Sequence, residues 1–286
     1  MICIASDRLS AVINPLGAEL TTLRDGDKRD LMTDADPAFW TGHAPILFPI
    51  VGRLNQDMLR VDGAGYAMKQ HGFARRQMFD VMEQDTAHAL FRLTDNEETR
   101  AQYPFGFALD VAFTISAATL TITAQIANPG KTALPASLGF HPAFAWPLPY
   151  GAAKETHRIV FDADEPGAVK QLADGLMAGE RPSPLSGRIL ALRDALFADD
   201  ALIWDPVHAG SVTYGPPSGQ HLRIDFPDTP QLGLWTKPGA AFVCIEPWHG
   251  HADPAGFTGD FRDKPGMFEV PPGGEWRCAI AVTLVG

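Results

Sequence analysis

The sequence predicts an all-β fold, a large antiparallel β-sandwich with few short helices. Three observations carry that expectation. Apolar and polar residues alternate in run after run, as they do on strands with one buried face. Turn signals recur every ~8–12 residues, the spacing of sandwiches and barrels built from antiparallel strands. Glycine and proline are plentiful, 27 and 24 of 286 residues, and spread along the chain, as many short strands with many turns require.

The elements follow in order. "CIASDRLSAVINPLGAELTTLRDGDKRDLM" reads as short strands broken at Asn14-Pro15 and Asp25-Gly26. "MLRVDGAGYAMKQ" reads as a hairpin about Asp62-Gly63. In "ALDVAFTISAATLTITAQIANPG", Leu109, Val111, Phe113 and Ile115 alternate, then Leu120, Ile122, Ala124 and Ile126 do so after a short turn. "SVTYGPPSGQHLRIDFPD" and "EWRCAIAVTLVG" repeat the pattern near the end. The best candidate for a short helix is "GRILALRDALFADD", inside a mixed stretch, 151–200, punctuated by Pro and Gly. No linker, internal repeat or low-complexity tract divides the chain, so a single domain over residues 1–286 is expected.

Bulk composition narrows the function classes. The formal net charge is −11, which argues against nucleic acid or an anionic membrane as the main partner. A small phosphorylated ligand on one basic pocket is compatible with that charge. Cys3, Cys244 and Cys278 are odd in number and lack CxxC spacing, so free thiols in a reducing compartment are expected. No apolar run approaches the ~18 residues of a spanning helix, and the N-terminus lacks the pattern of a signal peptide. A soluble, cytoplasmic protein is the expectation.

Candidate chemistry sits in three stretches. "FVCIEPWHGHADP" ends an apolar run with Glu246. That carboxylate reads either as a solvated strand end or as a base in a cleft, beside Trp248 on the same strand face. Partial burial would raise its pKa and suit it to general-base work. His249-x-His251-x-Asp253 has the start of a metal motif but lacks the ligands that would complete it, so the two histidines read as rim residues and no metal is expected. In "PASLGFHPAFAWPL", His141 stands among Phe140, Phe144 and Trp146. It reads as a satisfied core histidine or as a polar group in an aromatic sugar pocket. In "FPIVGRLNQDMLRVDGAGYAMKQHGFARRQMFDV", Arg53 and His71 read as cleft donors, with surface ion pairs the alternative for Arg53 and Arg75. Dinucleotide, P-loop and nucleophile-elbow motifs are absent, and no cofactor is expected.

Taken together, "FWTGHAPILFPIVGRL", "MKQHGFARRQMFDV", "SLGFHPAF", "DDALIW" and "LGLWTKPGAAFVCIEPWHGHAD" resemble the aldose 1-epimerase (galactose mutarotase-like) family, in family order and over nearly the whole chain. They look closest to its divergent bacterial branch. The resemblance implies a β-sandwich with a sugar cleft across one sheet. It also implies Glu246 as general base and His141 as general acid. Arg53, His71 and Asp200, with Asp199 as the neighbouring alternative to Asp200, would bind sugar hydroxyls, and Trp248 would wall the cleft. Phe140 and "PAFAWPL" around His141 depart from typical galactose mutarotases, which puts a galactose preference in doubt. The implied reaction interconverts the α and β anomers of a hexose. The competing expectations are a hexose-6-phosphate 1-epimerase, with Arg75, Arg76 and Lys69 near the phosphate, and a carbohydrate-binding protein without turnover. The oligomeric state is left open.

Overall fold

The strands Ala108–Ser116 and Thr119–Ala127 show how the alternating pattern becomes structure. They pair antiparallel, so that Phe113 faces Ile122 and Val111 faces Ala124 on one buried side. A slip of one residue would turn all eight apolar side chains to water, so burial fixes the register. Each of the larger ones, Leu, Val, Ile or Phe, contributes roughly 1.5–3 kcal/mol by leaving water. The C-terminal strand Glu275–Val285 lies along Thr119–Ala127 and adds Ile280, Val282 and Leu284 to the same face.

A computed structural model describes residues 1–286. It contains 24 strands and only short helical turns. Those three strands form the middle of a nine-stranded sheet that runs from Ile189–Ala191 at one edge to Asp80–Gln84 at the other. An eight-stranded sheet contains Leu176–Arg181, Val169–Ala173, Leu202–Trp204, Gln231–Trp235, Phe242–His249, Leu138–Phe140 and Ile46–Leu47 in that order, with Ala143–Ala145 also on Phe242–His249. Smaller sheets complete the fold, among them Ile2–Ala5, Leu9–Asn14 and Glu19–Asp25. Every strand pair is antiparallel, and one cluster of 65 buried apolar residues draws on both large sheets. The predicted β-sandwich is the fold observed.

The hairpin about Asp62-Gly63 forms as expected, from Met58–Val61 and Ala64–Ala67, with both turn residues at positive φ. The expected helix in "GRILALRDALFADD" does not form. Ile189–Ala191 is a strand that pairs with Arg158–Phe161, and only Asp194–Phe197 makes a helical turn, of the tight 3-10 kind. Backbone pairing at the sheet edge, with Leu190 opposite Ile159, overrides the weak helical periodicity. No helix is long and apolar enough to cross a membrane.

Candidate active site

Strand Phe242–His249 is buried on both faces. Val243 and Ile245 point into the main core. Phe242, Cys244, Glu246 and Trp248 take the opposite face by the two-residue period of a strand. Glu246 is therefore a lone carboxylate among the buried, apolar residues 242–248 of this strand, and only 1% of it is exposed. Trp248 fits beside it because the neighbouring strands present glycine there. A Cβ on Gly233 would lie 2.4 Å from the indole and one on Gly139 2.6 Å from it. Gly139 sits opposite Trp248 on one side, and Gly233 opposite Glu246 on the other.

His141 follows strand Leu138–Phe140 and is 7% exposed. The next residue, Pro142, accepts a hydrogen bond from Ile245 N at 3.2 Å, which ties the His141 turn to the Glu246 strand. His141 Nε2 comes within 3.1 Å of Glu246 Oε2. The approach is close but not aligned as a hydrogen bond, since that oxygen and His141 Nδ1 both lack partners. Trp40 stacks on the imidazole at 4.9 Å between ring centres and 25° between planes. Trp235 meets it edge-on at 6.1 Å.

Both groups line a cavity of about 320 Å³, the size of a small-ligand site. Trp40, Trp235 and Trp248 supply its aromatic walls, and Gln70, His71, Arg75 and Asp200 its other polar groups. His71 stands at φ 65° and accepts from Gly52 N at Nδ1, 3.1 Å away, which leaves the proton on Nε2. Burial draws His71 well below the ordinary histidine range, and the neighbouring His141, Arg75 and Arg76 add to the fall. Asp200 lines the cavity mouth, whereas Asp199 pairs with Arg181 at 3.5 Å and does not line it. Of the two acids, Asp200 is the one that lines the cavity.

Arg53 departs from expectation. Its guanidinium donates to both oxygens of Asp57, at 2.8 and 3.0 Å, and to the Asp174 carbonyl at 3.1 Å. It lies in an adjoining open pocket and not in the cavity. The guanidinium inside the cavity belongs to Arg75. Its Nε is buried without a partner, and its Nη2 donates to Gln70 O at 3.2 Å. Burial brings Arg75 down to about 10, with Arg76 adding to the fall. Of the cavity-lining residues, Trp40 and Trp235 carry no role in the sequence reading, and Arg75 enters it only as a surface ion-pair or phosphate candidate. Trp235 was within reach, because it lies two residues beyond Gly233 on one strand and so shares the site face.

His249 and His251 are not solvated rim residues. His251 is buried, and His249 packs edge-on against Trp276 at 4.7 Å, on the far side of the strand from Glu246. The one cluster of metal-ligating residue types is His141, Cys244 and Glu246, whose ligand atoms lie within 4.8 Å of one another. It consists of the same His–Glu pair and a buried thiol.

Electrostatics set the proton inventory. Burial first, then the charge of Asp200, hold the Glu246 carboxyl well above the ordinary carboxylate range, with the Trp248 indole opposing. Burial brings His141 down to about 3, against an interaction with its own backbone and with help from Arg75. Both shifts favour a neutral acid beside a neutral imidazole, a pair that holds one proton. Transfer of that proton gives carboxylate and imidazolium with the same total charge, so the two titrate as a unit.

Fold and site define a class: an antiparallel β-sandwich with a buried carboxylate–imidazole pair in an aromatic-walled cavity. The family described as Aldose 1-epimerase matches residues 1–258, and the chain belongs to that family. The LacX protein encoded on the chromosome of Lactococcus lactis subsp. lactis is 31% identical over 281 residues, 94% of this chain and 94% of LacX. A galactose mutarotase related enzyme from Lactobacillus acidophilus superposes with a TM-score of 0.93 at 32% identity, over 99% of this chain and 97% of its own. A galactose mutarotase-like protein from Lactobacillus casei gives 0.93 at 29% identity, over 100% of both chains.

Proposed function

We propose that this protein is a hexose mutarotase, an aldose 1-epimerase that interconverts α and β anomers by acid–base ring opening. The observation that carries this reading is the 3.1 Å approach of His141 Nε2 to Glu246 Oε2 in a cavity walled by three tryptophans. In the carboxylate–imidazolium form, Glu246 takes the proton from the C1 hydroxyl while His141 delivers one to the ring oxygen. The C1–O5 bond breaks and the C1 oxygen becomes a carbonyl. Rotation about C1–C2 presents the other carbonyl face. Glu246 and His141 then reverse roles as the ring closes. The pair ends with the proton it began with, so no cofactor is consumed. Each group supplies typically 10²–10⁴-fold. The tryptophan faces hold the apolar faces of the ring, while His71, Asp200 and Arg75 bind hydroxyls.

A second reading, a hexose phosphate as substrate, is favoured by Arg75, a cavity guanidinium whose Nε has no partner. Exchange between the α and β C1 protons, followed by magnetisation-transfer NMR, tests both readings. Added protein speeds exchange in glucose or galactose if the first holds, and in glucose 6-phosphate preferentially if the second does. Binding without faster exchange in any sugar would leave a non-catalytic carbohydrate-binding protein. A cytoplasmic location and a sugar as the sole partner class accord with this role.

A further inference from the structure

The motif "HGHAD", which the chemistry above does not use, borders the cavity at Ala252. Residues 251–255 are joined there to two other segments. Asp253 N donates to Arg53 O at 2.9 Å, and Asp253 Oδ2 accepts from Asn55 N at 2.8 Å. Met177 N donates to Asp253 O at 2.9 Å, and Ala255 N to Met177 O at 2.8 Å. Each of the three segments reaches the cavity. Ala252 lines it beside Gly52, where a Cβ on Gly52 would lie 2.6 Å from Ala252. The hairpin of Val169–Ala173 and Leu176–Arg181 brings in Leu172 and Gly175. This wall is therefore assembled from pieces that meet at Asp253.

Lys264 stands behind that junction with 0% of its side chain exposed. Its ammonium donates to the His251 carbonyl and lies 4.0 Å from Asp253 Oδ1, an oxygen without any hydrogen-bond partner. The Phe261 ring lies 5.7 Å from the ammonium, and His251 Nδ1 is held by the Ala252 carbonyl at 2.7 Å. A buried lysine is costly unless charge and hydrogen bonds compensate it. Here both compensations come from residues of "HGHAD".

We infer that Lys264 and Asp253 form a buried latch that positions the Gly52, Ala252 and Leu172–Gly175 wall of the cavity, so that Lys264 is a positioning residue for substrate binding. It touches no reacting atom. Glu246 and His141 are held by separate strand pairings, Gly233 to Glu246 and Ala143 to Cys244. Loosening the latch therefore weakens binding and leaves the chemical step in place. This inference rests on the mutarotase reading only for its kinetic readout.

The test compares Lys264→Met, Lys264→Gln and Asp253→Asn in the full chain, at a temperature where each is folded. KM for the sugar is expected to rise about tenfold in Lys264→Met, the equivalent of ~1.4 kcal/mol, with kcat within twofold of the parent. Lys264→Gln, which keeps a donor for the His251 carbonyl, should recover part of the loss. Amide hydrogen exchange at Asn55, Asp253 and Met177 should quicken in Lys264→Met, with no change in strand Thr119–Ala127. A lowered Tm with unchanged KM would overturn the inference, as would unchanged exchange at those amides. If Lys264→Met fails to fold, Asp253→Asn carries the same expectations. A parent protein without turnover would sink the mutarotase reading alone, since the exchange measurement needs no sugar.

Discussion

His141 Nε2 and Glu246 Oε2 meet at 3.1 Å although the two residues lie 105 positions apart in sequence. The hydrogen bond from Ile245 N to Pro142 O explains how. It fastens the turn after one strand to the middle of its neighbour, so the imidazole is carried over the carboxylate by the backbone. The pair is therefore preorganised, and the electrostatic cost of burying it is met at folding.

Glu246→Gln and His141→Asn should each lower kcat by roughly 10²–10⁴-fold. The double variant should be little worse than either single one, because the groups act as a unit. Stability should hold or rise in Glu246→Gln, since a buried ionisable group gives way to a neutral amide. Steady-state kinetics with thermal denaturation of the same proteins checks both statements.

The pH profile should be a broad plateau. The working pair holds one proton. Its acid limb is the gain of a second proton, placed below the ordinary histidine range because burial brings His141 down to about 3. Its alkaline limb is the loss of the last proton, placed above the ordinary carboxylate range because Glu246 is raised by burial and by Asp200. Asp200→Asn removes one of those causes, so the alkaline limb should move to lower pH, whatever happens to KM. A limb that stays in place would contradict the assignment.

Gly233→Ala should displace Trp248, because the new methyl would lie 2.4 Å from the indole. Overpacking of this kind costs roughly 1–3 kcal/mol. We expect a lower Tm, a raised KM and altered tryptophan fluorescence. Gly139→Ala should act in the same direction, from the other side of the ring.

The two arginines should separate cleanly. Arg75→Ala removes the only guanidinium lining the cavity, so kcat/KM should fall about 10- to 150-fold, the worth of a hydrogen bond to a charged group. Arg53→Ala breaks a half-exposed pair with Asp57, of the solvent-screened kind that contributes little, and should leave kcat/KM within about threefold. The ratio of losses on free and phosphorylated sugar in Arg75→Ala also distinguishes the two substrates proposed above.

Much of this architecture was legible in the sequence because strands declare themselves by a period of two. Leu109 to Ile115 and Leu120 to Ile126 could face the core in only one register. Glu246 was legible as an isolated carboxylate on an apolar strand, and His141 as an imidazole among aromatics. Arg53 misled because nothing in "GRLNQD" states that Asp57 folds back onto it. Whether Arg75 faces solvent or the cavity was not legible, because its direction depends on the tight turn Ala74–Arg76, whose geometry has no periodic signature. The burial of His251 was equally illegible, since its partner Lys264 lies 13 residues on, beyond a Pro/Gly-rich loop. The false helix near Leu190 arose where local periodicity and sheet-edge pairing compete, a contest decided only by the neighbouring strand.

On the proposed function, one buried imidazole and one buried carboxylate jointly relocate protons at the anomeric centre. Polarimetry of freshly dissolved α-glucose and α-galactose tests it most directly. Parent protein should bring the optical rotation to its equilibrium value far faster than buffer does, and Glu246→Gln should follow the buffer curve to within a few per cent of the parent's acceleration. Equal acceleration by the two folded proteins would contradict the account.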